Sequence, residues 1–501
     1  MARLRVPDQA LRNFLSILLG FAIGGFNNLV VLPWAFGDNL EAWGLVRIAA
    51  AWATVLGPIL AFGAPAAMNR FQGKLNTMGA LPQLHATLLW PPVALFLAFV
   101  AIPALLLPQG VADLLGLEGT NREAVWPIAL LSGLYTAQIF FAGYLSSRLK
   151  TALATFARET FFKFGYLALA LALGMGWMGI PAFLPAFVGL YVCVLVLLFA
   201  QSLANQFRLN TRPIQDKKLL REIRVYSGTL ILGSGAGIIL GQIDIIMVGR
   251  LLDLSQVPIY TIAAFIATIA NIPVRAFQRL LQPLIARSLH AQDNAETWRL
   301  VKLSHRSMLL TSGWIITCIA VSTPEIDRLL PAAFQGLGAV IMVIGAFKVI
   351  QAASMGSMTL IGQSDHYKKT IWLQWLSVVL AVSLNFLFIP KSGLDMGLLG
   401  AALATFIAMG LAILIRQFLV WFIWKEWVLN RHSLAILGVL VVPGLLLIGM
   451  DMECHPMLLL TLKSAITTIW VAGAAWTLNL VPEGKKLVLE KWNGFARRKN
   501  R

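Results

Sequence analysis

Long apolar runs alternate with short polar stretches along nearly the whole chain. A run of roughly 17–25 apolar residues is long enough to cross a bilayer as an α-helix, and the pattern predicts about fourteen such runs. They cover residues 11–34, 44–66, 81–107, 124–145, 160–179, 181–203, 226–249, 258–281, 308–323, 337–361, 370–389, 396–424, 433–450 and 457–480. We therefore predict an all-α, polytopic membrane protein.

The polar connections between these runs carry charges of alternating sign. Starting from the N-terminus, every second connection is rich in Lys and Arg, whereas the others carry few basic residues and half of the chain's Asp and Glu. Positively charged loops stay on the cytoplasmic side of a membrane. We therefore expect a multi-pass protein of the bacterial cytoplasmic (inner) membrane with both termini in the cytoplasm.

The most basic internal connection falls between the sixth and seventh runs and divides the chain into halves. The segment that follows Asp38 is weakly similar in sequence to the segment that follows Asp253. This similarity supports two repeats related by a pseudo-two-fold axis along the membrane normal. The predicted domains are an N-terminal six-helix bundle at 1–207, a cytoplasmic linker at 208–225, a second six-helix bundle at 226–430, helices 13 and 14 at 431–480, and a basic cytoplasmic tail at 481–501.

Composition excludes several classes of protein. Charged residues make up 12% of the chain, about half the share in soluble domains. The net charge of +18 lies mostly in the short connections, so it indicates orientation rather than nucleic-acid binding. Three scattered cysteines and six separated histidines form no ligand-spaced cluster, and no G-x-x-x-x-G-K-[ST] loop is present. We expect no cofactor and no enzymatic activity.

Lys348 lies near the middle of the apolar run 337–361. A charged side chain at bilayer depth costs at least ~2.5 kcal/mol, so it should face a polar cavity or a partner. A buried cation indicates a pathway for an anion, and the alternative is a lysine paired only for packing.

Other charged residues inside runs have two interpretations each. Arg275 and Arg279 are four residues apart, hence on one helix face, where they either line a cavity or extend to the interface. Asp244 is either an ion-coupling carboxylate or half of a structural pair. Four further residues are expected to extend to the membrane interface: Arg47, Lys163, Arg416 and Lys463.

Polar residues interrupt the first run of each half. Asn27 and Asn28 follow two glycines in the first run, and Gln242 follows several glycines in the seventh. Small residues permit close helix packing, and they also permit bending during alternating access.

Several segments resemble the multidrug, oligosaccharidyl-lipid and polysaccharide exporter superfamily. They are QIDIIMVGR at 242–250, IYTIAA at 259–264, QPL at 282–284, LFIP at 387–390, GLLGAALAT at 397–405, WGL at 43–45 and GAPAAMNR at 63–70. The nearest branch is that of O-antigen and exopolysaccharide flippases in polysaccharide biosynthesis. The resemblance implies two six-helix bundles around a cationic cavity and ATP-independent transfer of undecaprenyl-pyrophosphate-linked glycans to the outer leaflet.

The resemblance also implies roles for the residues singled out above. Lys348 with Arg275 or Arg279 would bind the pyrophosphate, and helices 13 and 14 would shelter the lipid tail. The sugar would contact Asn27, Asn28, Gln242 and Gln351. The expected partners are the lipid-linked glycan, the lipid bilayer and other polysaccharide assembly proteins. The first run carries no charge after Arg12, so the phosphate site of the lipid II flippase branch has no counterpart there.

Two other functions stay open at this point. An ion-coupled drug or metabolite antiporter of the same fold would use Asp244 as its coupling site. A membrane enzyme such as a glycan polymerase or ligase would need an essential carboxylate or histidine in an outer loop, where Asp113, Glu118 and Glu123 are the crowded candidates.

Overall fold

The computed structural model describes residues 16, 18–117, 119–210, 214, 216–450 and 454–482. Within these ranges the regular structure is entirely helical, which confirms the all-α prediction. Glu118 and nearly all of the predicted basic tail lie outside the described residues, as do the side chains of Arg275 and Arg279.

The described helices do not confirm the predicted count of fourteen membrane-spanning helices. Among the described residues, ten helices are long and apolar enough to cross a membrane, or twelve if two bent helix pairs each count as one span. Two predicted spans fall outside this count. The helical run at 151–174 carries three charged residues, and Arg431–Leu447 has only 17 residues.

The chain divides into two compact units, Met1–Pro258 and Ile259–Arg501. The helices of the first unit are Asn27–Val31, Leu32–Phe36, Leu40–Leu60, Ala64–Thr77, Leu81–Phe96, Leu97–Ala101, Ile102–Leu106, Pro108–Leu115, Gly119–Ala124, Val125–Ser147, Thr151–Thr155, Phe156–Phe161, Phe162–Gly174, Ile180–Ala204, Lys217–Leu240 and Ile243–Leu251. Three of these are short π-helical turns within longer helical runs: Asn27–Val31, Leu97–Ala101 and Phe156–Phe161.

The second unit begins within the helix Gln256–Thr268. Its further helices are Ile269–Asn271, Ile272–His290, Asn294–Val321, Thr323–Leu329, Ala332–Phe334, Gly338–Ala353, Met355–Gln363, Lys368–Phe388, Gly397–Trp424, Arg431–Leu447 and Pro456–Thr477. Two breaks bend this unit's membrane helices, by 60° between Asn294–Val321 and Thr323–Leu329 and by 47° between Gly338–Ala353 and Met355–Gln363.

The division between the two compact units follows Pro258, and the predicted linker at 208–225 stays a prediction. The helices Lys217–Leu240 and Ile243–Leu251 pack on Leu40–Leu60 in the first unit, through Ile246 in an apolar cluster with Ala51 and Val55. The predicted six-helix bundles stay a prediction, because compactness alone does not define which helices move together.

Glycines determine two close contacts within the first unit. A Cβ atom on Gly44 would overlap the carbonyl of Leu254, so only glycine allows this approach. Gly63 has φ +65°, a conformation that glycine adopts at little cost, and a Cβ there would lie 2.7 Å from the Ser227 carbonyl oxygen. Gly63 thereby separates the helix Leu40–Leu60 from Ala64–Thr77 and lets the second begin in a new direction.

Candidate functional site

A polar cavity of about 570 Å³ lies inside the second unit. Its walls come from the helix Ile272–His290, from the residue that precedes it, and from the bent pair Gly338–Ala353 and Met355–Gln363. The lining residues are Asn271, Val274, Gln278, Gln282, Gln351, Ala352, Met355, Met358, Thr359, Gly362 and Gln363. Five of these side chains are carboxamides, and none of the described lining residues is charged.

Helical spacing explains why one wall of the cavity is rich in glutamine. Val274, Gln278 and Gln282 follow one another at intervals of four residues, so they share one face of the helix Ile272–His290. Arg275 and Arg279 lie on the same helix, each next in sequence to a lining residue. Their side chains are outside the described part of the chain, so their predicted role stays a prediction.

The opposite wall is built around the 47° bend at Ser354. Gln351 lies just before the bend and Met355 just after it, and both line the cavity. A Cβ atom on Gly356 would lie 2.9 Å from the carbonyl oxygen of Val301. Glycine at this position therefore lets the segment after the bend lie directly against the helix Asn294–Val321.

A buried histidine contacts the backbone at this bend. His305 Nδ1 lies 3.0 Å from the carbonyl oxygen of Ala353, the last residue before Ser354. Because a carbonyl only accepts, Nδ1 must carry the proton. His305 Nε2 lies 3.0 Å from Ser433 Oγ, so in the neutral imidazole Nε2 accepts from the serine hydroxyl. Ser433 also closes the capping box with Asn430 at the start of Arg431–Leu447.

Lys348 is half-buried on the helix Gly338–Ala353, one turn before Gln351. Its Nζ lies 5.2 Å from the centroid of the Phe347 ring, within the range of a cation–π contact. Of the two residues, only Gln351 belongs to the described cavity wall. The predicted role of Lys348 in anion binding stays a prediction.

The other four predicted site residues belong to the first unit. Asn27 is buried in the π-helical turn Asn27–Val31, and Asn28 Nδ2 donates to the Gly24 carbonyl at 2.7 Å. Gln242 connects Lys217–Leu240 to the next helix, and Asp244 lies in the first turn of that helix. A helix N-terminus favours a carboxylate, which gives Asp244 a structural stabilisation besides its predicted coupling role. The functional roles of these four residues stay predictions.

Two of the residues that we expected at the membrane interface are buried instead. Lys463 is fully buried in an ion pair with Glu325, so the prediction that it reaches the interface is wrong. Arg416 is 7% exposed, which contradicts the same prediction. Both side chains find room inside the unit because they pack among neighbouring helices that the sequence pattern does not bring together.

Four of the five carboxamide residues of the cavity were not predicted as site residues: Asn271, Gln278, Gln282 and Gln363. The i, i+4 spacing of Gln278 and Gln282 within an apolar run was a usable signal, which the two neighbouring arginines obscured. Asn271 and Gln363 gave no comparable signal, since each stands alone beside a helix end.

Comparison with known proteins identifies the fold. The sequence matches no family model and no curated protein. By structure, the lipid II flippase MurJ in an inward closed conformation superimposes with a TM-score of 0.68 at 13% identity, over 92% of this chain and 98% of that one.

Multidrug-resistance transporters share the fold as well. A MATE family transporter of the MOP superfamily in an inward-facing conformation has a TM-score of 0.62 at 14% identity, over 82% of this chain and 96% of that one. A MATE structure in the bent conformation has a TM-score of 0.55 at 15% identity, over 83% of this chain and 96% of that one. This chain is therefore a multi-pass membrane protein with the fold of the MOP superfamily, which confirms the predicted resemblance at the level of the fold.

Proposed function

We propose that this chain is a flippase that transfers an undecaprenyl-pyrophosphate-linked oligosaccharide across the bacterial cytoplasmic membrane by alternating access. The observation that carries the proposal is the carboxamide-lined cavity at the bent membrane helix of the second unit. The product would serve the synthesis of a surface polysaccharide such as O-antigen or exopolysaccharide.

The chemistry of the cavity suits a sugar. Each carboxamide offers two donor hydrogens and an acceptor oxygen, which matches hydroxyl groups that both donate and accept. The cavity volume of about 570 Å³ falls within the usual range for small-molecule sites. Met355 and Met358 add adaptable apolar surface for the faces of sugar rings.

The modest strength of these contacts also suits transport. A neutral hydrogen bond contributes about 0.5–1.5 kcal/mol net, so five carboxamides hold a glycan only weakly. A transported ligand must leave the site on the other side of the membrane, and weak binding allows that release.

The shared fold supports the proposal and also an alternative. A lipid II flippase and multidrug transporters both have this fold, so an ion-coupled drug or metabolite antiporter with Asp244 as coupling site is the second candidate. We propose a transporter rather than an enzyme in either case.

The test is mass spectrometry of lipid-linked glycans in cells that lack this chain, together with an assay of surface polysaccharide. We expect undecaprenyl-linked repeat units to accumulate and surface glycan to be lost. Unchanged lipid intermediates would favour the antiporter, whereas single units stranded on the outer leaflet would favour an enzyme.

Substitutions in the carboxamide-lined cavity test whether glycan export depends on it. Gln278→Ala combined with Gln282→Ala should reproduce the accumulation at a normal protein level. Gln374→Ala is the matched control, because Gln374 lies on the membrane helix Lys368–Phe388 of the same unit and not on the described cavity wall. Normal export by the double variant would argue against glycan recognition in this cavity.

A further inference from the structure

A second cavity of about 450 Å³ lies inside the first unit. It is bounded by the helices Ala64–Thr77 and Val125–Ser147 and by the helical run at 151–161. A Cβ atom on Gly143 would lie 2.6 Å from Pro65 Cβ, so glycine permits the close approach of two of these helices.

Arg158 contributes the positive charge of this cavity. It lies in the π-helical turn Phe156–Phe161, a local structure that often occurs at functional sites. Its Nη2 donates to the hydroxyl of Tyr135 at 2.8 Å, and its guanidinium carbon lies 5.2 Å from the centroid of the same ring. These contacts hold the side chain in place, and within the described part of the chain only one of its five N–H donors makes a hydrogen bond.

The acidic residue next to Arg158 in the sequence does not form an ion pair with it. Glu159, which also lines the cavity, accepts from Lys163 Nζ at 2.9 Å. Among the described residues no carboxylate lies within ion-pair distance of Arg158. The three side chains together therefore leave one net positive charge at the cavity.

Neutral donors surround this charge. Asn69, Ser146 and Thr155 line the same cavity, and none of their side chains makes a hydrogen bond within the described part of the chain. A guanidinium flanked by hydroxyl and amide donors is well suited to binding phosphate oxygens, because charge-assisted hydrogen bonds are the strong ones. At reduced dielectric the attraction is larger than in water.

We propose that this cavity binds a phosphate or diphosphate group, with Arg158 as its central ligand and Asn69, Ser146 and Thr155 as neutral donors. The group is either the headgroup of a polyprenyl diphosphate lipid or a free phosphate. The lipid source rests on the proposed function, whereas the anion chemistry does not. This site differs from the one implied by the resemblance, which assigned the pyrophosphate to Lys348, Arg275 and Arg279.

The test is calorimetric titration of the purified full chain in detergent micelles. The probes are inorganic pyrophosphate, undecaprenyl pyrophosphate and, as the uncharged control, undecaprenol. We expect a diphosphate to bind and Arg158→Gln to weaken its binding roughly tenfold or more, as for the loss of a charge-assisted hydrogen bond. Arg158→Lys should give an intermediate affinity, since lysine keeps the charge but lacks the planar fork.

Arg148→Gln is the matched control. Arg148 also belongs to the first unit and lies 5.7 Å from an aromatic ring centroid, that of Tyr144, but it is not among the described lining residues. Thr155→Val removes one proposed donor at nearly constant volume, which keeps the test valid should Arg158→Gln fold poorly. Thr155→Val should weaken diphosphate binding while leaving the thermal unfolding midpoint nearly unchanged.

The outcomes distinguish a lipid headgroup from a free anion as the ligand. They also distinguish failure of the anion site from failure of the proposed flippase function. Binding of undecaprenyl pyrophosphate alone supports a lipid headgroup, and binding of inorganic pyrophosphate as well supports a site for the free anion. Equal affinities of the wild type, Arg158→Gln and Thr155→Val would overturn the site, and so would loss of binding in Lys348→Gln alone. Failure of the glycan-export experiment would overturn the proposed function without affecting this titration.

Discussion

Lys463 Nζ lies 2.8 Å from Glu325 Oε1, and the two side chains are 0% and 1% exposed. The pair joins the last described helix, Pro456–Thr477, to the short helix Thr323–Leu329 across 138 residues of sequence. Glu325 Oε2 has no hydrogen-bond partner in the described part of the chain, so Lys463 is the main compensation for this buried charge.

Removing the lysine should therefore destabilise the second unit strongly. Breaking a buried ion pair by deleting one partner costs about 3–5 kcal/mol, because the other charge is left uncompensated. We expect Lys463→Met to lower the thermal unfolding midpoint of the protein in detergent.

The double variant Lys463→Met with Glu325→Gln distinguishes stabilisation by the ion pair from stabilisation by packing of the lysine side chain. It removes both charges, so it should recover most of the lost stability. A midpoint as low as that of Lys463→Met would show that the lysine acts by packing its side chain and not by pairing with Glu325.

His305 should stabilise the bend at the carboxamide-lined cavity through its two hydrogen bonds. His305→Ala leaves the Ala353 carbonyl without its side-chain donor, and an unsatisfied buried polar group costs about 1–3 kcal/mol. We expect a lower unfolding midpoint for His305→Ala, and also for Ser433→Ala, which keeps the bond to Ala353 but loses the capping box with Asn430.

A double-mutant cycle checks whether His305 and Ser433 act together. Groups in one hydrogen-bond network give non-additive changes in the free energy of unfolding, of about 0.5–3 kcal/mol. Strictly additive effects would mean that the 3.0 Å contact between Nε2 and Oγ contributes nothing measurable.

Glycine at position 356 should be required for the position of the segment after the bend. Gly356→Ala places a Cβ 2.9 Å from both the Val301 carbonyl oxygen and Ser304 Cβ, so the helices must separate. We expect Gly356→Ala to lower the unfolding midpoint and to impair export in the cellular assay.

Gly410→Ala is the matched control for this substitution. Gly410 lies inside the helix Gly397–Trp424 of the same unit, and within the described residues a Cβ atom there would meet no neighbouring helix within 4 Å. Alanine is favoured over glycine inside a helix by about 1 kcal/mol, so this variant should be neutral or slightly stabilising. Equal effects of the two substitutions would contradict the close-approach explanation.

One residue of the candidate site was accessible from the sequence through the family resemblance. The resemblance implies a sugar contact at Gln351, and the structure places Gln351 on the cavity wall. The convergence of Gln351 with Gln278 and Gln282 was not predictable, since it depends on how the helix Ile272–His290 packs against a bent helix more than 60 residues later. The bend at Ser354 also lacks a proline or glycine at the break itself.

The sequence by itself determined that this protein is helical and repeatedly crosses a membrane. Hydropathy is a local property, and each apolar run must satisfy its own backbone hydrogen bonds in lipid, which only a helix does within one segment. Only the tertiary structure decided which polar groups meet. Lys463 and Arg416 were expected at the interface, yet both are buried. For Lys463 the reason is Glu325, a partner from a distant helix that compensates the cost of burying the charge. The cavity around Arg158 also depends on the tertiary structure, because its donors come from three separate helical segments.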